Sequence, residues 1–486
     1  MTMFLKPASH RRTASPVLTL IAAACLLIGA AAEARKVTWE DIVNDDKTTG
    51  DVLSYGMGMK AQRHSPLKKI NKDNVAKLVP VWGHALTDNR GAEGFPVVKD
   101  GVIYTTIHNA TVAIDALSGK MLWRTAVNFE PDTPRVVCCG VSNKGVAVYN
   151  GKVFRTTLNA FVVALDQKTG KEVWKQKAAE WTEGYSQTVA PVVANGVLVT
   201  GISGAEFGIR GFIDGWDPDT GKHLWRRYTT AGPDDKGHAT WEPRNAYEHG
   251  GGSTWITGSY DPDLDLMYWG TGNAGPWNPK VRKGDNLYVA SIIAVRPKTG
   301  EIVWHYQVAP NEIYDWDTVW EIILAEIKVD GLPRKVAMQM NRNGFLYVLD
   351  RATGELLSAK PFTKVNWATH VDMKTGRPVE TEVSARVRAG EQIELWPGQW
   401  GGKNWAHASF NPETGLLYAN TMHNPRLVKF EPVEYKLGQR YVGLQNAPAE
   451  AAPFRPIAHV DAVEPLTGKQ KWRVPIMDIP HYSAVL

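Results

Sequence analysis

Ala113-Ile114-Asp115-Ala116-Leu117-Ser118-Gly119-Lys120-Met121-Leu122-Trp123 returns as Ala164-Leu165-Asp166-Gln167-Lys168-Thr169-Gly170-Lys171-Glu172-Val173-Trp174. It returns again in segments ending Thr220-Gly221-Lys222-His223-Leu224-Trp225, Thr299-Gly300-Glu301-Ile302-Val303-Trp304 and Thr467-Gly468-Lys469-Gln470-Lys471-Trp472. A worn copy, Leu349-Asp350-Arg351-Ala352-Thr353-Gly354-Glu355-Leu356-Leu357, lacks the tryptophan. Each copy reads as a strand, a tight turn at or near Thr-Gly and a second strand. The first three copies lie about fifty residues apart, the spacing of one four-stranded blade of a β-propeller. Gly101-Val102-Ile103-Tyr104-Thr105-Thr106 and Gly151-Lys152-Val153-Phe154-Arg155-Thr156-Thr157 supply strands for the intervals. The pattern therefore predicts an all-β propeller in which each tryptophan docks between neighbouring blades. Longer intervals after Trp225 and Trp304 imply inserted loops or blades whose motif has decayed. A sandwich or a two-domain enzyme would not repeat so regularly.

The repeat also accounts for a composition of 19 tryptophans in 486 residues. Lys and Arg number 55 against 50 Asp and Glu, so the charge is near balance. With no basic stripe, nucleic acid is excluded as a partner. Lys6, Arg11 and Arg12 precede an apolar run from Val17 to about Ala32, and Ala32-Glu33-Ala34 offers small residues where a signal peptidase reads. Residues 1–34 are thus expected to be a signal peptide and 35–486 the propeller domain. No later stretch approaches twenty apolar residues, so no membrane span is expected in the mature chain, which is placed in the periplasm.

Removal of the signal would leave two cysteines, Cys138 and Cys139, adjacent in sequence. Such a pair stays reduced as two structural thiols, binds something, or closes on itself in an oxidising compartment. A closed ring would be small, flat and rigid, and a poor staple because almost no loop entropy is removed. It is better suited to meeting a ligand. Four further segments carry chemistry. Gly201-Ile202-Ser203-Gly204-Ala205-Glu206-Phe207-Gly208 places a carboxylate in a loop of small residues, and Gly270-Thr271-Gly272-Asn273 does the same for a carboxamide. Asp315-Trp316-Asp317 sets two carboxylates at i and i+2, on one side of an extended segment. Asn341-Arg342-Asn343-Gly344 presents a guanidinium. Singly, acidic pairs at loop tips are solvated and Gly-Thr-Gly-Asn is a turn. Together Glu206, Asn273, Asp315 and Asp317 form an all-oxygen set for a hard cation.

With these motifs, and Gly401-Gly402-Lys403-Asn404-Trp405 beside them, the chain resembles the pyrroloquinoline quinone (PQQ)-dependent alcohol dehydrogenases of the methanol/ethanol dehydrogenase family. The resemblance runs from about Val37 to near the C-terminus and implies an eight-bladed propeller. It implies a Cys138–Cys139 disulfide on one face of PQQ and Trp255 on the other. Glu93, Lys144, Thr188, Ser203, Gly204, Ala205, Arg342 and Asn404 match positions that bind or border the cofactor. Glu206, Asn273 and Asp315 match metal ligands, and Asp315 matches the general base that takes the alcohol proton. Asp317 resembles the lanthanide-using branch, since another carboxylate complements a trivalent ion better than a divalent one such as calcium. The implied reaction is oxidation of primary alcohols to aldehydes. No Cys-x-x-Cys-His occurs in this sequence, so a separate periplasmic cytochrome c is the expected electron acceptor.

Two departures from the family pattern stand out. Lys144 replaces an arginine that follows the cysteine pair in relatives, keeping the charge without the planar fork. After Trp472 the sequence runs only to Leu486, whereas the family continues for roughly another hundred residues. The last blades are accordingly expected to be incomplete, and an inactive truncated paralogue is the rival reading. A non-catalytic propeller scaffold would need neither the cysteine pair nor Asp-Trp-Asp.

Overall fold

In the computed structural model, residues 35–86, 88, 90, 92–449, 456–477 and 484–485 are described, and the expected signal peptide lies outside them. Residues 37–486 form one compact unit. Each Thr-Gly copy forms the predicted hairpin, and the hairpins belong to six four-stranded antiparallel sheets spanning 97–126, 147–177, 192–228, 259–307, 323–361 and 409–477. Within each, strands neighbour one another in chain order. The propeller architecture is as predicted, and the described residues build six of its four-stranded blades. The third strands, such as Ala110–Asp115 and Ser291–Val295, are buried almost throughout, whereas the fourth strands alternate with solvent. A strand covered by blades on both faces reads as a continuous apolar run, while one at the rim need only be apolar on one side.

Four of the turns share one construction. Asp115, Asp166, Asp217 and Asp350 each accept, through Oδ1, the N–H and hydroxyl of the Ser or Thr three residues on. Glycine follows in the left-handed region, with φ between +70° and +79° at Gly119, Gly170, Gly221 and Gly354. Glycine is needed there for a second reason. A Cβ on Gly119, Gly170, Gly221, Gly300 or Gly354 would fall 2.4–2.8 Å from the indole of Trp82, Trp123, Trp174, Trp225 or Trp304 respectively. Each indole thus lies against the turn of the next blade, and its N–H donates to the carbonyl three residues before that glycine at 2.9–3.3 Å. Small residues, Ala113, Ala164, Gly215 and Ala294, stand opposite the blade tryptophans and make room for the ring.

The worn copy shows the rule by its compensation. Ser358 occupies the tryptophan position and donates through Oγ to Leu466 O at 2.6 Å, so the inter-blade hydrogen bond survives without the indole. Val348 now stands opposite, filling space that a ring would have taken. The two long intervals resolve differently. After Trp225 the chain runs through a loop with two 3₁₀ turns before the next sheet, and after Trp304 comes the blade with the decayed motif. The stretch around Val79-Pro80-Val81-Trp82 reads in sequence as an N-terminal strand, but it forms none, and Val79 and Val81 are exposed, although Trp82 docks normally. A three-stranded accessory sheet, formed by Ile393–Leu395, Arg426–Phe430 and Leu444–Pro448, branches from the connections around the sixth blade.

Candidate active site

Blade topology decides where the chemistry gathers. In a four-stranded meander, the loop entering the first strand and the turn between the second and third lie at the same end, opposite the Thr-Gly turn. Glu93, Cys138, Cys139, Lys144, Thr188, Trp255, Asp315, Asp317 and Asn404 all lie in loops entering first strands. Glu206, Asn273 and Arg342 lie between second and third strands. Residues scattered over three hundred positions therefore converge on one face.

There they line a cavity of ≈ 430 Å³, within the range of small-molecule sites. Every residue predicted from sequence lies on its wall except Ala205 and Asn273, which are fully buried beside wall residues Glu206 and Gly204 and next to Asp317. Cys138 and Cys139 are joined by a disulfide, with Cys139 in the left-handed region at φ 68°. Trp255 lines the same cavity and meets Trp320 edge to face. Lys144 Nζ pairs with Glu93 at 2.6 Å and lies 5.0 Å and 5.3 Å from the ring centres of Trp255 and Trp405. Thr188 and Ser203 share a hydroxyl–hydroxyl bond of 3.1 Å. The Lys144 N–H donates to Thr188 O, which ties this wall together.

Arg342 bridges two carboxylates: Nη1 donates to Asp317 Oδ2 at 2.9 Å and Nη2 to Asp315 Oδ2 at 3.3 Å. Asp315 and Asp317 share a side, but not through extended alternation as expected. Asp315 has φ 64°, and the segment is held in that shape by Glu312, whose Oε1 accepts the N–H groups of Tyr314 and Trp316 on either side of it. Glu312 Oε2 accepts from Ala274 N as well, linking this segment to the Asn273 loop. Asp317 Oδ1 takes the Asn273 N–H at 3.0 Å, and a Cβ on Gly272 would fall 2.6 Å from that oxygen. Gly204, with φ 122°, lets the Glu206 turn pack against another loop, where a Cβ would fall 2.1 Å from Gly184 O.

Burial raises all three acidic pKa values. Burial and then the Asp317 charge push Glu206 up to about 7. Asp315 is raised well above the carboxylate range by burial and by Asp317 and Glu206, against the pull of Arg342. Asp317 is raised by burial, opposed by Arg342 and the Asn273 N–H. Three buried carboxyls whose charged forms repel are a set that a multivalent cation relieves. Asn273 Oδ1 is buried with no hydrogen-bond partner, as is Ser186 Oγ on the cavity wall, so acceptors stand ready for a group the protein itself does not supply. Among the described residues no three His, Cys, Asp or Glu side chains form a metal cage by themselves. The donor set and the cavity therefore fit a flat polar cofactor and a hard cation.

Sequence reading missed several supports. Lys403, fully buried, pairs with Glu321 at 2.9 Å, and Glu321 also meets His407 Nδ1 and the Ala408 N–H. Burial works against the Glu321 charge, but Lys403 and His407 outweigh it and hold its pKa down to about 2. This cluster fastens the strand-entry loop that carries Asn404 and Trp405. Trp400, Trp405, Val137, Gly140, Ser142 and Ser186 complete the wall. Trp405 closes the Gly401–Trp405 motif and the others have only proximity to a motif as their signal; Glu312, three residues before Asp315, had none.

Comparison with known proteins places this arrangement. The profile of the PQQ glucose/ethanol/alcohol dehydrogenase β-propeller domain matches residues 53–369. The chain is 42% identical to the quinohemoprotein alcohol dehydrogenase ADH IIB of Pseudomonas putida, over 95% of this chain and 69% of that protein. It is 40% identical to the quinoprotein ethanol dehydrogenase of Pseudomonas aeruginosa, over 91% and 78%. Among solved structures, a europium-containing methanol dehydrogenase superposes with a TM-score of 0.86 at 34% identity, covering 90% of this chain and 80% of that one.

Proposed function

Since the chain belongs to the PQQ-dependent alcohol dehydrogenase family, we propose that its cavity oxidises primary alcohols to aldehydes with Asp315 as the general base. The observation that carries this reading is the composition of one cavity, where the Cys138–Cys139 disulfide, Trp255, and two carboxylates gripped by Arg342 line the same space. PQQ, when bound, supplies the hydride acceptor, and a metal ion bound with it supplies Lewis acidity. The disulfide and Trp255 would hold the planar ring of PQQ. Glu93, Lys144, Thr188, Ser203, Gly204, Ala205 and Asn404 bind or border its polar edge. Asp315 receives the alcohol proton, and Arg342 balances the negative charge that develops as the substrate is oxidised.

Glu206, Asn273, Asp315 and Asp317 are the proposed metal ligands. The extra carboxylate of Asp317 and the europium of the solved relative support a lanthanide, with calcium the alternative. Asp317→Ala is expected to reduce lanthanum-supported turnover at least ~10-fold more than calcium-supported turnover. An unchanged metal preference, measured by dye-linked ethanol oxidation, removes the assignment. The expected site of action is the periplasm, with cytochrome c receiving the electrons. The decisive experiment is PQQ retention by the purified chain after desalting, read by cofactor absorbance, following reconstitution with lanthanum, calcium or no metal. Stoichiometric retention with lanthanum is expected. No retention under any condition overturns the reading and leaves the inactive paralogue in its place.

A further inference from the structure

Gln399 reaches the carboxylate on which the proposed chemistry depends, and none of the sequence motifs draws attention to it. Its Nε2 donates to Asp315 Oδ2 at 2.8 Å, closer than the 3.3 Å contact from Arg342 to the same oxygen. The side chain is buried. The backbone that carries it is fastened on both sides. Gly398 O accepts the indole N–H of Trp316, the residue next to Asp315, at 3.2 Å, and Gly398 N donates to Asn424 O. Two residues on, a Cβ at Gly401 would lie 2.2 Å from Arg342 Cγ, and the Gly402 N–H donates to Arg342 O at 3.0 Å. The segment is therefore fitted against both Arg342 and the Asp315 loop, and the amide arrives at Asp315 with little freedom left to lose.

Two donors of different kinds meet Oδ2. Arg342 is divided between Asp315 and Asp317, so its grip on either carboxylate follows the charge of both. Gln399 is neutral and bonds only Asp315 at that end, so it fixes the direction of the carboxylate without depending on Asp317. Both of these contacts fall on Oδ2, and Asp315 lines the cavity.

We propose that Gln399 is a positioning residue whose amide fixes the plane of the Asp315 carboxylate, so that Oδ1 is the oxygen that meets the alcohol hydroxyl. This rests on the reading of Asp315 as the base. The alcohol O–H breaks and its proton passes to Oδ1. The C–H hydride leaves with its two electrons for the bound quinone, and the carbonyl C=O forms.

Gln399→Met keeps the volume and removes the donor, and Gln399→Glu keeps the shape and sets a like charge against Asp315. In the chain loaded with PQQ and lanthanum, kcat for ethanol is expected to fall ~10²-fold for Met, as for a misplaced catalytic group, and further for Glu, with KM changed less than about threefold. A purely space-filling role predicts equal effects of the two variants, and a substrate-binding role predicts a raised KM at unchanged kcat. Either result overturns the proposal. Independently of activity, melting of the cofactor-free protein is compared for Gln399→Met, Asp315→Ala and the pair. If Gln399 holds Asp315, the double variant loses less than the sum of the two; additive losses overturn the contact. If the loaded wild type oxidises no alcohol, the proposed function fails, and the melting cycle still decides whether Gln399 holds Asp315. Should the Met variant not fold, the Glu variant carries both measurements.

Discussion

Asp315→Asn is expected to stop alcohol oxidation while leaving the cofactor in place: turnover of ethanol falls by ~10²–10⁴-fold, the range for loss of a general base. The substitution changes one atom. An asparagine oxygen at the Oδ2 position still accepts from Gln399 Nε2 and Arg342 Nη2, so the loop geometry set by Glu312 is retained. What is lost is a group able to take a proton. Glu206 and Asp317 remain as carboxylate ligands, and the disulfide and Trp255 still bound the cavity. PQQ retention after desalting should therefore stay near the wild-type level. Turnover equal to wild type would remove Asp315 as the base.

The second large effect concerns stability. Trp174→Ala is expected to destabilise the fold by ~3–5 kcal/mol, the cost of truncating a well-buried tryptophan. The side chain is 8% exposed, lies against Gly221 of the next blade and donates to Pro218 O at 3.2 Å. Truncation opens a cavity between two sheets and leaves that carbonyl without its donor. Trp472→Ala serves as the control within the same molecule. Trp472 is 43% exposed, so its removal gives up less buried area and is expected to cost clearly less than that of Trp174, about 2–3 kcal/mol by area burial. Thermal melting of the two variants side by side separates these outcomes, and equal losses would sink the docking account.

The architecture was legible because it repeats. Five tryptophans at one offset from five glycines encode the inter-blade contact directly, and even the worn copy kept its Thr-Gly turn. The site was legible to the extent that its residues are chemically unusual in their places: vicinal cysteines, a carboxylate in a run of small residues, two aspartates around one tryptophan. What could not be read were the residues whose importance comes from where the blades bring them. Gln399 sits 84 positions from Asp315 and Lys403 sits 82 from Glu321, and no local pattern marks either pair. Nor did the sequence show that Asp315 adopts a left-handed backbone, since nothing in Asp-Trp-Asp demands it. That conformation is imposed by a neighbouring carboxylate competing for the backbone N–H groups.

The joint between the fifth and sixth blades differs from the others, because there a hydroxyl replaces an indole. Coupling between blades passes mainly from neighbour to neighbour, so the stiffness of the arc is that of its softest link. Ser358 retains direction through its hydrogen bond but contributes far less contact area than a ring. Amide hydrogens flanking this seam should exchange with deuterium before those at the other joints. The chain that spans the seam, 362–408, includes Gln399, Asn404 and Trp405. Local opening at this serine is therefore expected to be felt at the cavity wall that carries Asn404 and Trp405.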